Sequence, residues 1–287
     1  MTPMKTKFGQ ALTSGRLVIT AECLPPRIGG AEAVKKLSTV LPPSLDAVVV
    51  ADNPDEIHGS ALACAALLAR EGREAVLSMV TRDRNRIALE SDALGASALD
   101  IGAILCLSGN HQSLGVCPQA AGANDMDSIQ LAQALKSLDL PEMLVGAVAH
   151  PYQQPLELNL LRLKKKIAAG VDFLLTQPVF DLAGFTLWMD SVRAAGLDKR
   201  AAIIASVLPL TSVDKAEALR QRQTYGPLDE AVIARLGKAS DAAKEGLAMA
   251  AEIAAQLKTV PGVRGIHILS GGCEALANGV IEAAGLA

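Results

Sequence analysis

Eight short aliphatic runs, separated by amphipathic stretches, constrain this chain more than any other feature. They are LVITAEC (17–23), DAVVVAD (46–52), EAVLSMV (74–80), GAILCLS (102–108), MLVGAVA (143–149), VDFLLTQ (171–177), AAIIASV (201–207) and GIHILS (265–270). Aliphatic character sustained over six or seven residues marks strands buried on both faces, the condition of a parallel sheet. Between the runs the spacing turns helical, over 31–40, 56–70, 83–96, 126–137, 155–169, 181–195, 211–223, 228–258 and 273–284. Asp83 or Asn85 is placed to cap the helix over 83–96, and Gly170 follows 155–169 as a terminating glycine. The stretch after the seventh run breaks at Gly226-Pro227 and near Gly237. Eight strand–helix repeats without a linker predict a single (β/α)8 barrel over residues 1–287. A doubly wound sheet would need a reversal point, and no GxGxxG follows the first run, which disfavours a dinucleotide fold of that kind.

Composition sets the material of the core. Hydrophobic residues make up 50% of the chain but aromatics only 2%, so the interior is built from Ala, Leu, Val and Ile. A net charge of -3 argues against a nucleic-acid binder that works by neutralising phosphates. No stretch reaches the ~18 apolar residues of a membrane span. The N-terminal MTPMKTKFGQALTSG lacks a signal peptide's apolar segment, so a cytoplasmic location is expected. Cys23, Cys64, Cys106, Cys117 and Cys273 are scattered, without a CxxC pair, and read as reduced thiols rather than a disulfide or zinc framework.

A barrel of this kind places its site at the C-terminal ends of the strands. Those ends hold Glu22, Asp52-Asn53, Ser78 to Thr81, Ser108-Gly109-Asn110, His150, Thr176-Gln177, Leu208-Pro209 and Ser270-Gly271-Gly272. The set lacks the paired carboxylates of a glycosidase, the ligand cluster of a hydrolytic metal site and the inner-strand lysine of a Schiff-base aldolase. Glu22 ends an aliphatic strand, where lost hydration favours the protonated carboxyl of a general acid; the alternative is an ion pair with Arg27. Gln177 offers a donor and an acceptor together, or satisfies its own loop. Arg162, Lys164, Lys165 and Lys166 lie on one helix, with Arg162 and Lys166 on a shared face, as phosphate-directed cations or as a solvated basic surface. His150 faces the site or caps its loop. His111 reads as solvent-facing, and no partner that would activate the Cys117 thiol is visible.

A family resemblance joins these positions. AECLPPR (21–27), VADNP (50–54), TRDRN (81–85), LSGN (107–110), LRLKKKIAAGVDFLLTQPVFD (161–181) and LPLTS (208–212) stand in the order of the motifs of the methylenetetrahydrofolate reductases, flavin-dependent (β/α)8 barrels, which the chain resembles along almost its whole length. The resemblance implies hydride transfer from a reduced flavin to 5,10-methylenetetrahydrofolate, giving 5-methyltetrahydrofolate. It assigns Glu22 as the acid that opens the methylene bridge. Gln177 and Asn110 meet the folate, Gln177 at the pterin edge. Ala51, Asp52, Ser78, Ser108, Gly109, Asn110 and His150 lie around the flavin, with Arg162, Lys165 and Lys166 beside its pyrophosphate or ribose. The cofactor implied is FAD, with FMN as the alternative, and the donor a nicotinamide or a protein.

The departures from the pattern carry equal weight. Ser78 stands where many members have a His, Asn110 where they have an Asp, Ser108 where they have an Arg and Ala51 where they have a Thr; a late Arg falls near Cys273. Losing the Asp removes a negative charge beside the flavin and eases the hold on reduced anionic flavin. Two further readings stay open: a flavin-free reductase taking hydride directly from a nicotinamide, and a subunit that works only with a partner. A homo-oligomer or such a complex is expected, with the Ala-rich stretch 239–256 either a surface for it or an ordinary barrel helix.

Overall fold

The computed structural model describes residues 6–54, 56–111, 113, 117–140, 142–222 and 226–286. All eight aliphatic runs are strands: β1 (Val18–Cys23), β2 (Ala47–Val50), β3 (Ala75–Val80), β4 (Ala103–Leu107), β5 (Leu144–Ala149), β6 (Phe173–Pro178), β7 (Ala202–Val207) and β8 (Val263–Ile268). They close into one barrel in sequence order, every neighbouring pair parallel. The protein is a single (β/α)8 barrel of the expected kind.

Eleven helices are described. The first, α1 (Lys7–Thr13), precedes β1 and has no counterpart in the sequence reading. Its seven residues are too few for periodicity to stand out, yet Phe8, Ala11 and Leu12 share a face and are buried. That face plugs the N-terminal end of the barrel. Phe8 meets the ring of Phe173 edge-on, centroids 5.1 Å apart, within an inner cluster of Val18, Val49, Val76, Leu105, Leu144, Leu175 and Ile204. Room for Phe173 comes from Gly146, where a Cβ would lie 2.2 Å from the ring. A second, larger cluster lies between the outer strand faces and the helices.

The surrounding helices are α2 (Gly30–Val40), α3 (Ala61–Arg70), α4 (Arg86–Ala98), α5 (Ser128–Ser137), α6 (Leu156–Ala168), α7 (Leu182–Ala194), α8 (Val213–Arg222), α9 (Glu230–Lys238), α10 (Ala242–Leu257) and α11 (Leu276–Ala283). Caps decide where they start. Asn85, not Asp83, caps α4, accepting from the Ala88 amide at 3.0 Å. Ser60 caps α3, so that helix begins five residues later than its apolar pattern, which starts at 56. The break expected near Gly237 is there, just after Lys238. Gly237 is inside α9, and Asp241 starts α10 by accepting from the Lys244 amide. Gly170 does follow α6, at φ 96°. The described cysteines are free thiols. No helix among the described residues is long and apolar enough to cross a membrane.

Candidate active site

Alternation along the strands turns every second side chain into the barrel. Toward the C-terminal mouth, β1 presents Glu22, β3 Ser78 and β6 Gln177, with His267 of β8 deeper, level with Thr20 of β1. Glu22, Ala51, Asp52, Ser78, Ser108, Gly109, Asn110, His150, Lys166 and Gln177 all line one central cavity of about 320 Å³. Its remaining walls are largely aliphatic, among them Val49, Val80, Leu105, Val148, Leu175 and Leu269.

Glu22 is half-buried. Its Oε1 accepts from both the amide and the hydroxyl of Ser270, in the turn after β8, each at 3.3 Å. Arg27 is engaged elsewhere, 3.0 Å from Glu56 on the surface. Across the cavity the His150 ring shares a hydrogen bond with the Gln177 side chain. Desolvation by the protein packed around the ring, then the charge of Lys166, lowers the His150 pKa against that bond and favours the neutral imidazole, although the residue is exposed at the cavity rim. The loop bearing His150 is locked by Asn159 of α6. Its amide donates to the His150 carbonyl at 2.6 Å and the Gln153 carbonyl at 3.1 Å, and its Oδ1 accepts from the Trp188 indole at 3.1 Å.

The wall from β2 to β4 is an ionic frame. Asp52 is 6% exposed and pairs with the Arg84 guanidinium, while the Val80 amide donates to it at 2.9 Å. Burial raises its pKa, against the pull of Arg84. Asp52 therefore serves the frame as well as facing the cavity. Arg82 binds Asp83 through two bonds of 2.7 Å. The same guanidinium donates to the carbonyls of Asn110 at 3.1 Å and Asn53 at 3.2 Å, tying together the loops after β2, β3 and β4. Gly109 is required beside it. It holds φ at +80°, and a Cβ there would lie 2.6 Å from Val80 Cγ1.

The basic helix divides. Arg162 and Lys166 face a side cavity of about 380 Å³, whose lining includes Ser108, Ser128, His150 and Asn159. Ser108, Ser128, Val148, His150 and Lys166 also line the central cavity, so the two adjoin. Lys166 Nζ donates to the Val148 carbonyl. Burial, then Arg162 one turn away, brings its pKa down to about 8. Lys165 departs from its expected place. It is exposed and lines neither cavity, because it lies one residue, about 100°, around the helix from Lys166. Asp127 lines the side cavity as well, but its carboxylate caps α5, taking the Ile129 and Gln130 amides at 2.8 Å.

A third cavity, of about 520 Å³, adjoins the first at Glu22, Pro54 and Leu269; Leu24, Leu208, Leu219 and Lys215 line it. His111 turns to Ser113 at 2.7 Å, exposed and outside the central cavity. No cluster of metal-ligating side chains occurs among the described residues.

The sequence reading missed His267, Arg82 and Asn159. His267 carried a signal: an imidazole at an inward position of GIHILS. Arg82 lay inside the TRDRN motif without standing out, and Asn159 gave no signal, since the carbonyls that each engages are brought near only by the fold.

Comparison with known proteins agrees with the residue reading. The 5,10-methylenetetrahydrofolate reductase of Pectobacterium carotovorum subsp. carotovorum is 27% identical over 205 residues, 69% of this chain and 66% of that protein. The Salmonella typhimurium protein of the same description is 26% identical over 214 residues, 72% of this chain and 69% of its own. The chain thus spans about two thirds of these bacterial relatives. Among solved structures, an uncharacterized protein from Clostridium thermocellum, described as binding two copies of 5-methyl-5,6,7,8-tetrahydrofolic acid, has the same fold. Its TM-score is 0.73 at 14% identity, covering 97% of this chain and 99% of that one. The family model for methylenetetrahydrofolate reductase matches residues 7–285, which takes in α1, all eight strands and every residue of the central cavity, and on that match the chain belongs to the methylenetetrahydrofolate reductase family.

Proposed function

We propose that the protein reduces the methylene bridge of 5,10-methylenetetrahydrofolate, giving 5-methyltetrahydrofolate. The observation that carries this reading is the shared cavity of Glu22 and Gln177, a carboxyl group and an amide on facing walls of the barrel mouth. The folate-binding description of the Clostridium thermocellum protein supports the substrate class.

Glu22, protonated, gives its proton to the nitrogen that leaves as the five-membered ring opens, and becomes the carboxylate. The bridge carbon is left as an iminium on the other nitrogen, and a hydride completes the methyl group. Ser270 holds Glu22 at this position through both of its donors. Gln177, its amide oriented by neutral His150, reads the donor–acceptor edge of the pterin. Aliphatic walls exclude water from the iminium.

The residues present fit a flavin. Arg162 and Lys166 share one face of α6 in a side cavity that also offers the hydroxyls of Ser108 and Ser128, a donor set suited to phosphate or ribose. The adjoining central cavity sets aliphatic side chains such as Val49, Val80, Leu105 and Leu175 among polar ones, which suits a ring system with a polar edge. When bound there, FAD would supply the hydride. Lys165 is not part of that set.

An absorption spectrum of the purified protein, followed by assay with 5,10-methylenetetrahydrofolate, tests the proposal. A yellow protein whose colour bleaches under a reductant and returns with the folate is the expected result. A colourless protein that forms 5-methyltetrahydrofolate from a nicotinamide would move the hydride source to that nucleotide. Failure to convert the folate with any donor refutes the reading.

A further inference from the structure

The reaction as written leaves His267 unused. This residue lies on β8, directly in register with Thr20 of β1, inside the barrel. It is 2% exposed and lines the central cavity with Val49, Leu105, Leu175 and Leu269. Its Nδ1 is 2.9 Å from the Thr20 hydroxyl. Among the described residues its Nε2 has no hydrogen-bond partner, yet the one buried side-chain polar atom left unpartnered there is Asp198 Oδ1. Nε2 is therefore reachable from the cavity.

An imidazole held in an aliphatic interior with one nitrogen unpaired costs stability unless something else meets that nitrogen. Thr20 fixes the ring plane and couples the tautomer to its own hydroxyl, so Nε2 presents one defined donor or acceptor. The position is one inward step deeper than Leu269, and Thr20 one inward step deeper than Glu22. A ring that reaches Glu22 and Gln177 at the mouth has His267 beneath it.

We propose that Nε2 of His267 hydrogen-bonds the polar edge of a pteridine ring bound in the central cavity, making it a ligand-contacting residue at the bottom of that cavity. The inference rests on the folate reading of the site and adds a recognition point to it. The pteridine edge is common to folates and flavins, so the test has an arm for each. Burial takes the ring's pKa to about 3, which keeps it a neutral partner at physiological pH.

The parent, His267→Leu, His267→Gln and Thr20→Val are titrated calorimetrically with 5-methyltetrahydrofolate and separately with FAD, with thermal melts alongside. His267→Leu is expected to weaken one of the two ligands on the order of tenfold and leave the other unchanged. His267→Gln restores part of the loss, and Thr20→Val weakens the same ligand by a smaller factor. Loss with the folate assigns the contact to the pterin; loss with FAD assigns it to the flavin. Parental affinity for both ligands in folded variants overturns the proposal, and if His267→Leu does not fold, the Gln and Thr20→Val variants decide it on the same terms. A parent that binds neither ligand removes the reading of the site, and this one with it.

Discussion

Glu22→Gln separates chemistry from structure in this barrel. The carboxylate is held by two contacts from Ser270, both to Oε1 at 3.3 Å. A glutamine has the same shape and can offer its carbonyl oxygen to both donors, so the cost to folding stays below the ~1.5 kcal/mol of one lost hydrogen bond. For a chain of this size that is a melting shift under about 5 °C. What the amide cannot do is release a proton to the departing nitrogen. A positioned acid contributes ~10²–10⁴-fold, or about 2.7–5.4 kcal/mol of barrier. Single-turnover formation of 5-methyltetrahydrofolate should therefore fall by at least a hundredfold. Cofactor binding and reduction by the donor, which need no acid at the pterin, should stay near parental. Stopped flow reads the two halves separately. A variant whose folate step stays within a few-fold of the parent would show that Glu22 is structural.

Three other outcomes follow from the same geometry. Lys166 carries its charge below a pKa of about 8 and loses it above. FAD affinity should accordingly fall between pH 7 and 9, and stay flat over that range in Lys166→Arg, as read by fluorescence titration. Because the folded-state pKa lies below that of the unfolded chain, stability from this group rises as pH climbs from about 8 toward ~10.4, where the free side chain titrates. Arg84→Ala leaves the Asp52 carboxylate, 6% exposed, without its counter-charge and should cost roughly 3 kcal/mol in urea melts at pH 7. Adding Asp52→Asn should recover much of that loss, and equal stability of the single and double variants would contradict the frame described here. Phe8→Ala empties the plug at the barrel floor and should destabilise by ~3–5 kcal/mol. Its folate affinity should not change, since the cavity lies at the opposite end; a parallel loss of affinity would count against that separation.

The strands were legible because parallel barrel strands must be apolar on both faces, which leaves a continuous aliphatic signature such as AVVV of β2. Glu22 and Gln177 were legible for the same reason reversed: a polar residue at the end of such a run stands out, and barrel geometry assigns every such end to one mouth. Helix starts were less so, since Ser60 and Asp241 act through single hydrogen bonds to amides that apolar periodicity does not register. The plug α1 was hidden because a seven-residue helix of about two turns gains its stability from Phe173 and the barrel floor, far along the chain. Tertiary structure alone divided the basic helix, turning Lys166 toward the cavities and Lys165 to solvent, because a rotation of about 100° per residue has meaning only once the barrel fixes which side is inward. The same holds for Arg82, whose guanidinium joins three loops through carbonyls of Asn53 and Asn110. It holds too for His267, whose pairing with Thr20 spans nearly the whole chain and exists only because β8 returns to close against β1.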